Sequence, residues 1–135
     1  MNARQRVFNL EQANTLLPQI ELLLLELESK HDAFRRLEDE LFFAELVEQV
    51  SPPEPRLQEL EATLERMEED FKKIRELGCL LRHAERGWVD FLARKDEEWI
   101  YYCWRPGEKQ IQYYHSLGGG FLERQLLTGD YAGTS

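Results

Sequence analysis

The sequence has few cysteines and no long apolar run, which argues against a disulfide-rich secreted domain and against a membrane-spanning protein. Its two cysteines, Cys79 and Cys103, fit reduced thiols in a cytoplasmic protein rather than a disulfide-rich secreted domain. The longest purely apolar run, Leu22 to Leu25, is far shorter than the roughly 20 residues of a membrane-spanning helix. The first segment, MNARQRVFNLEQ, lacks the apolar stretch of a signal peptide. We therefore expect a cytoplasmic protein with no membrane contact.

Basic residues are also scarce relative to acidic ones. The chain has 17 Lys and Arg against 26 Asp and Glu, which gives a net charge of −9. Phosphate binding needs clustered Lys and Arg, so we expect no nucleic-acid partner. The acidic excess lies in residues 1–77, which carry 18 acidic and 10 basic side chains, whereas residues 78–135 carry 8 and 7. An acidic helical surface would be repelled by anionic lipid as well.

Apolar residues spaced alternately by three and four predict two long helices, over 8–50 and 55–78. Asn9, followed three residues later by Gln12, has the form of a capping box. Only Lys30 interrupts the apolar seam of the first helix. The proline-rich segment SPPEP ends that helix and makes a rigid turn. We therefore expect an antiparallel helical hairpin that resembles a coiled coil.

The residues after Gly78 have the spacing of strands instead. Aromatic and β-branched residues dominate three segments, Trp88–Arg94, Glu98–Trp104 and Lys109–His115. They predict a three-stranded antiparallel meander over 86–116, followed by a C-terminal tail over 117–135. The predicted fold is thus α+β, a single domain over 1–135, with the helical hairpin packed on one face of the sheet.

The turn between the second and third predicted strands bears on whether a metal site exists. Pro106 and Gly107 suit the centre of a tight type II turn, which pairs Cys103 with Gln110. His115 then lies about 17 Å from Cys103 along the ladder and on the opposite face. A wider loop still leaves about 10 Å between them. Because zinc bonds are only about 2.0 to 2.3 Å long, we expect no shared metal and no cofactor.

Strand alternation divides the sheet into an aromatic face and a more continuously apolar face. The first carries Asp90 and Cys103 together with Trp88, Leu92, Trp99, Tyr101 and Tyr114. The second carries Val89, Phe91, Ala93, Ile100, Tyr102, Trp104, Ile111 and Tyr113. We expect the second face to pack on the helices. The first, with its two Trp and two Tyr, is too apolar for water and needs the tail, a second subunit or a ligand to cover it.

Three side chains are candidates for chemistry, each with a simpler structural interpretation. Cys103 is either a nucleophile or a small buried apolar residue. Asp90 is either a catalytic carboxylate or one half of an ion pair with a residue such as Arg105 or Arg124. Glu108 either bonds to the turn backbone or forms an acid and base pair with Asp90. The structural interpretations are favoured, because the sequence places no histidine near the thiol and the predicted register puts Asp90 and Glu108 on different strands at different heights.

Several short strings resemble the bacterial family catalogued as domain of unknown function 2203. They are NLEQANTLLP, GWVDF, YYCWRPGE, IQYYH and GGGFLER. The family pattern falls on Asp90, Phe91, Cys103, Trp104, Arg105, Gly107, Glu108, His115, Gly120, Phe121 and Arg124. The chain departs from it at Arg82, His83, Trp88, Leu92 and Tyr114. The resemblance implies no activity, because the family is uncharacterised.

The favoured function is a non-enzymatic interaction module that self-associates as a homodimer. This hypothesis depends on the aromatic outer face and the two amphipathic helices. The alternative is a small enzyme, or a ligand- or metal-binding protein, with its site around Asp90, Cys103, Glu108 and Arg124. The candidate binding side chains are Trp88, Trp99, Tyr101, Tyr114, Arg105 and Arg124.

Overall fold

Two long helices precede an antiparallel sheet in the computed structural model, which describes residues 6–83 and 86–127. Helix α1 covers Leu10–Leu46 and helix α2 covers Glu54–Glu76. The strands are β1 Leu80–His83, β2 Trp88–Lys95, β3 Glu98–Trp104, β4 Tyr113–Ser116 and β5 Gln125–Leu126, with a 3-10 turn at Phe121–Glu123. The α+β class predicted from the sequence is confirmed.

The ends of the helices follow local sequence signals. The Asn9 side chain accepts a hydrogen bond from the Gln12 N–H at 2.7 Å, and the Gln12 side chain accepts from the Asn9 N–H at 2.9 Å. The predicted capping box is therefore present. Helix α2 is followed by Gly78 at φ +94°, a left-handed conformation that glycine adopts without steric cost.

An ion pair joins the two helices at the position where the apolar seam of α1 is interrupted. Lys30 Nζ lies 2.7 Å from Asp70 Oδ2 of α2. Asp70 is fully buried, and its Oδ1 has no hydrogen-bond partner among the residues that the structure describes. The interruption at Lys30 thus serves a contact with the second helix, since a buried carboxylate requires a partner of opposite charge.

The sheet has five strands in the order β1-β2-β3-β4-β5, so the prediction of three strands is wrong in number. Strands β2 and β3 match the prediction closely, and the turn between them places Asp96 and Glu97 at positive φ. The third predicted strand begins four residues late, at Tyr113. Strands β1 and β5 were missed because four and two residues are too few to show an alternating pattern.

The hydrophobic core lies between helix α1 and the inner face of the sheet. It contains Phe8, Leu10, Ala13, Leu17, Ile20, Leu24, Leu27, Met67, Ile74 and Cys79, with Val89, Phe91, Ala93, Ile100, Tyr102, Trp104 and Ile111 from the sheet side. The face that we expected to pack on the helices is therefore the buried one, except at Tyr113, which is not part of this core. Within the described ranges, no helix combines the length and the apolar character needed to cross a membrane.

Candidate functional site

Three neighbouring strands bring a carboxylate, a thiol and an imidazole together on the outer face of the sheet. Asp90 of β2 pairs directly with Cys103 of β3. His115 of β4 pairs with Tyr101, two residues from Cys103, and therefore shares its face. The three side chains, here called the Asp–Cys–His cluster, are 3%, 1% and 2% exposed. One donor atom from each lies within 4.8 Å of the other two.

The prediction that Cys103 and His115 lie on opposite faces about 17 Å apart is therefore wrong. Cys103 pairs with Tyr113 rather than with Gln110, so β4 is displaced by three residues from the predicted register. Because successive side chains alternate between faces, a displacement by an odd number moves His115 to the face of Cys103. The geometric ground for expecting no shared metal is removed.

The cause of the displacement is the loop Arg105–Gln112 between β3 and β4. A tight turn does form at its start, but the strand ladder does not resume after it. Instead the Trp104 indole N–H donates to the Glu108 carbonyl at 2.7 Å, and the Ile111 N–H donates to Asn14 Oδ1 of helix α1 at 2.8 Å. The loop is thus held by α1 and by the core, which a two-strand register argument does not include.

Hydrogen bonds determine the protonation of the Asp–Cys–His cluster. Asp90 Oδ2 accepts from His115 Nε2 at 3.0 Å and from Arg82 Nε at 2.9 Å. His115 Nδ1 lies 2.7 Å from the carbonyl oxygen of Ser116, which can only accept, so both ring nitrogens carry protons. The hydrogen bond to Asp90, and then that to Cys103, raises the pKa of His115 from 6.5 to about 10. The imidazole is therefore charged at neutral pH.

The same geometry disfavours Cys103 as a nucleophile. A nucleophile, histidine and acid triad uses one ring nitrogen for the nucleophile and the other for the acid. Nε2 of His115 faces Asp90, and Nδ1 faces the Ser116 carbonyl. Because both ring nitrogens of His115 carry protons, its hydrogen bond with Cys103 offers no acceptor for the thiol proton, and the thiol is also only 1% exposed.

Asp90 and Cys103 of the cluster line a cavity of about 340 Å³ that opens to solvent. The other lining residues are Arg82, His83, Trp88, Leu117, Gly119 and Gly120. Three of these residues come from the loop that follows β4, and His83 is the last residue of β1. A cavity beside two of the three donor residues leaves room for a further ligand on an ion held by the cluster.

Glu108 and Arg124, which were expected to belong to the same site as Asp90, form an ion pair of their own. Arg124 Nη2 lies 2.8 Å from Glu108 Oε2, and Nη1 lies 3.2 Å from Oε1, so the pair is bidentate. Glu108 Oε1 also accepts from the Arg105 N–H at 3.0 Å, as the turn interpretation predicted. The partners of Asp90 are Arg82 and His115.

The displaced register also exchanges the sheet faces on which Tyr113 and Tyr114 lie. Tyr114, predicted on the outer face, pairs with Tyr102 and packs against the core, so that prediction is wrong. Tyr113 lies on the outer face instead, with the guanidinium carbon of Arg124 3.9 Å from its ring centroid. Both changes follow from the alternation of side chains once β4 is displaced.

The remaining predicted binding residues are spread along the outer face. Tyr101 lies beside the cluster, with its ring centroid 5.5 Å from that of His115. Trp99 is at the far end of β3, where Arg94 lies 4.8 Å from its ring. Trp88 lines the cavity of the cluster, and Arg105 lines a neighbouring cavity that also includes Trp88.

Sequence reasoning missed Arg82 and set aside His115 as a possible ligand. Arg82 was noted only as a departure from the family pattern, because the strand that carries it was not recognised. A signal for His115 was present in Tyr113 and Tyr114, which mark β4 as starting later than the turn. A strand that begins at these two tyrosines, and not directly after the Pro-Gly turn, places His115 on the same face as Cys103.

The fold and the cluster define a small α+β protein with a buried Asp–Cys–His centre on its sheet. A family model described as "Uncharacterized conserved protein (DUF2203)" matches residues 6–127, so the chain belongs to this family and the resemblance seen in the sequence is confirmed. Searches of curated proteins and of solved structures each returned no match.

Proposed function

We propose that the protein binds a zinc ion through Asp90, Cys103 and His115. The observation that carries this proposal is the convergence of three different donor atoms within 4.8 Å at almost fully buried positions. Tetrahedral zinc with bonds of about 2.0 to 2.3 Å holds its ligand atoms about 3.3 to 3.8 Å apart. Side-chain movements of about 1 Å are therefore enough to form the site.

The donor types favour zinc over the other common divalent ions. Thiolate sulfur, imidazole nitrogen and carboxylate oxygen are the three ligands that zinc takes in proteins, whereas magnesium and calcium prefer oxygen alone. Three protein ligands leave one position open, as in zinc sites that act on a ligand. The cavity lined by Asp90 and Cys103 supplies space for that position.

Contacts outside the three donors would orient them. The Ser116 carbonyl accepts from Nδ1 of His115 at 2.7 Å, which leaves Nε2 as the nitrogen that faces the cluster. Arg82 donates to Asp90 and holds its carboxylate in place. Such outer contacts commonly raise the affinity of a zinc site. Binding must displace the proton from Nε2 and the proton from Cys103, since metal ligands are deprotonated.

Zinc content and affinity test the proposal directly. We expect about one zinc ion per chain after zinc loading, measured by elemental analysis, and a competition titration with a chromogenic chelator that gives a defined affinity. Cys103→Ser and His115→Asn should each weaken binding by at least about 100-fold, because each removes a donor. Cys79→Ala is the matched control, since Cys79 is equally buried but bonds to the Ile74 carbonyl.

Two results would contradict zinc binding. One is a wild-type affinity no higher than that of Cys103→Ser. The other is an equal loss of affinity in a Cys79→Ala variant that circular dichroism shows to be folded, because the loss would then not depend on a donor of the cluster. In either case the cluster is a structural hydrogen-bond network around a buried charge.

Self-association as a dimer is a second candidate, favoured by a separate observation. We infer that α1 and α2 form an antiparallel, coiled-coil-like hairpin, because Glu40 pairs with Arg56 and Lys30 pairs with Asp70. At its far end from the sheet, five large apolar side chains are 53% to 63% exposed: Phe42, Phe43, Leu46, Val47 and Val50. A concentrated apolar patch of this kind supports a contact with a second copy.

A further inference from the structure

We propose that two cavities meeting at Trp88 form one groove that binds a small organic anion with a phosphate group and a flat ring. One cavity, of about 340 Å³, is lined by Asp90 and Cys103 of the Asp–Cys–His cluster. The other, of about 450 Å³, is lined by Arg86, Trp88, Arg105, Pro106, Gly107 and Glu108. This inference rests on the proposed zinc centre for the end of the groove where the phosphate would lie.

The charges that line the groove favour an anion, although the whole protein carries a charge of −9. Three arginines, Arg82, Arg86 and Arg105, line the two cavities. The two carboxylates there are both paired with cations, Asp90 with Arg82 and His115 and Glu108 with Arg124. A concave surface with an excess of positive charge focuses its field on an incoming anion.

Arginine and an open metal position together match a phosphate group. Arg82 is half exposed and lies beside the cluster through its contact with Asp90. Its planar guanidinium presents several N–H donors in a geometry that suits phosphate oxygens. An anionic oxygen on the open coordination position would lie within reach of the same guanidinium. The phosphate would therefore be held by two positive groups at one end of the groove.

Trp88 provides the surface for a flat ring next to this phosphate position. It is the residue that both cavities share. The His83 ring lies 5.3 Å from its indole, and the Arg86 guanidinium carbon lies 5.7 Å from its centroid. A ring stacked on an indole typically contributes about 1 to 3 kcal/mol to binding, and a neighbouring arginine strengthens such contacts.

The sheet contains a matched control for this arrangement. Arg94 and Trp99 also form an arginine and tryptophan contact on the outer face, at 4.8 Å, but at the opposite end of β2 and β3. Neither residue lines the cavity of the cluster or the cavity beside it. Substitutions at Arg94 and Trp99 remove the same charge and the same aromatic side chain as substitutions at Arg82 and Trp88, but they leave the lining of the groove unchanged.

Calorimetric titration with adenosine monophosphate, adenosine and inorganic phosphate tests the inference on zinc-loaded and zinc-free protein. We expect adenosine monophosphate to bind more tightly than phosphate and adenosine to bind least, since only the first has both groups. Arg82→Gln and Trp88→Leu should each weaken its binding at least about tenfold. Arg94→Gln and Trp99→Leu should leave it within about twofold of wild type.

The outcomes separate this inference from the zinc proposal. Zinc bound with no adenosine monophosphate binding overturns the groove and leaves the metal centre standing. Binding without zinc that is lost in Arg82→Gln supports the groove and shows that the metal is not required. Equal losses in the Arg94 and Trp99 variants overturn the groove, because the anion then binds through general charge.

Discussion

The Asp90 carboxylate determines the electrostatics of the outer sheet face. One of its oxygens accepts from both Arg82 and His115, although Asp90 is only 3% exposed. A buried carboxylate requires such partners, because desolvation without them would favour the neutral acid. The same negative charge keeps His115 protonated. Without a metal ion, the negative carboxylate of Asp90 is therefore balanced by the positive imidazole of His115.

The Cys79 thiol makes stability depend on pH in the alkaline range. Burial raises the pKa of Cys79 from 9.0 to about 11. Below pH 9 the thiol is protonated in the folded and the unfolded chain, so this contribution to stability is fully present. Between pH 9 and pH 11 only the unfolded chain loses the proton, so the free energy of unfolding falls, by at most about 1.4 kcal/mol per pH unit.

Urea denaturation from pH 8 to pH 11 measures this effect. We expect the free energy of unfolding of wild type to fall more steeply above pH 9 than that of Cys79→Ala. Groups such as His115 titrate in both proteins, so the difference between the two curves isolates the thiol. Parallel curves over this range would contradict the prediction.

The loop Arg105–Gln112 and strand β4 are the elements that create the candidate site. The loop moves the register of β4 by an odd number of residues, which brings His115 beside Cys103. Strand β1 contributes Arg82 to the same place from the other side of β2. The site therefore depends on four strands, and each of its parts comes from a different one.

The pairing of helices α1 and α2 depends on an ion pair with unequal exposure. Lys30 is 30% exposed, whereas Asp70 is fully buried with one oxygen unpartnered in the described part of the chain. Lys30→Met should lower the free energy of unfolding by about 3 kcal/mol, because it leaves a buried carboxylate without a cation. Asp70→Leu should cost less, since Lys30 can extend into water.

The double variant Lys30→Met with Asp70→Leu completes this test. We expect it to be at least as stable as wild type, because well-packed apolar residues often replace a buried ion pair without loss. Urea denaturation of the four proteins gives the coupling between the two positions. Equal costs for the two single variants, or simple additivity in the double one, would show that the pair does not stabilise the helix packing as argued.

Charge is distributed unevenly over the whole molecule: the helical half is strongly acidic, whereas the sheet half has nearly equal numbers of acidic and basic side chains. The sheet half carries the cluster and the two cavities that Trp88 lines, and the helical half carries an exposed apolar end. With this separation, the proposed ligand and the proposed second copy would bind at opposite ends. The two candidate functions are therefore compatible, and either can fail without the other.

Light scattering coupled to size-exclusion chromatography tests the dimer. We expect a mass about twice the 16.1 kDa of the chain at micromolar concentration. Phe42→Ser combined with Phe43→Ser should shift it to the monomer, because both side chains are more than half exposed at the apolar end. Leu122→Ser is the control, since Leu122 is 94% exposed in the 3-10 turn beside the sheet. A wild-type monomer would exclude self-association through this surface.

The features that depend on neighbouring residues can be predicted from the amino-acid sequence. The capping box at Asn9, the two helices, the pairing of β2 with β3 and the buried face of the sheet all follow from local signals of spacing and side-chain type. The residue opposite Cys103 does not belong to this group: an Asp96-Glu97 turn places Asp90 there and a Lys95-Asp96 turn places Trp88 there, and only the structure, with Asp96 and Glu97 at positive φ, selects Asp90.

The positions of His115, Arg82 and β5 follow from contacts between distant parts of the chain. The β3–β4 loop takes its path from a hydrogen bond between Ile111 and Asn14, residues 97 positions apart, and from burial of Ile111 in the core. No local pattern encodes such a contact, since it exists only when helix α1 packs on the sheet. The candidate site therefore depends on long-range packing. This packing places His115 beside Cys103 and Asp90, whereas the sequence predicted it on the opposite face of the sheet.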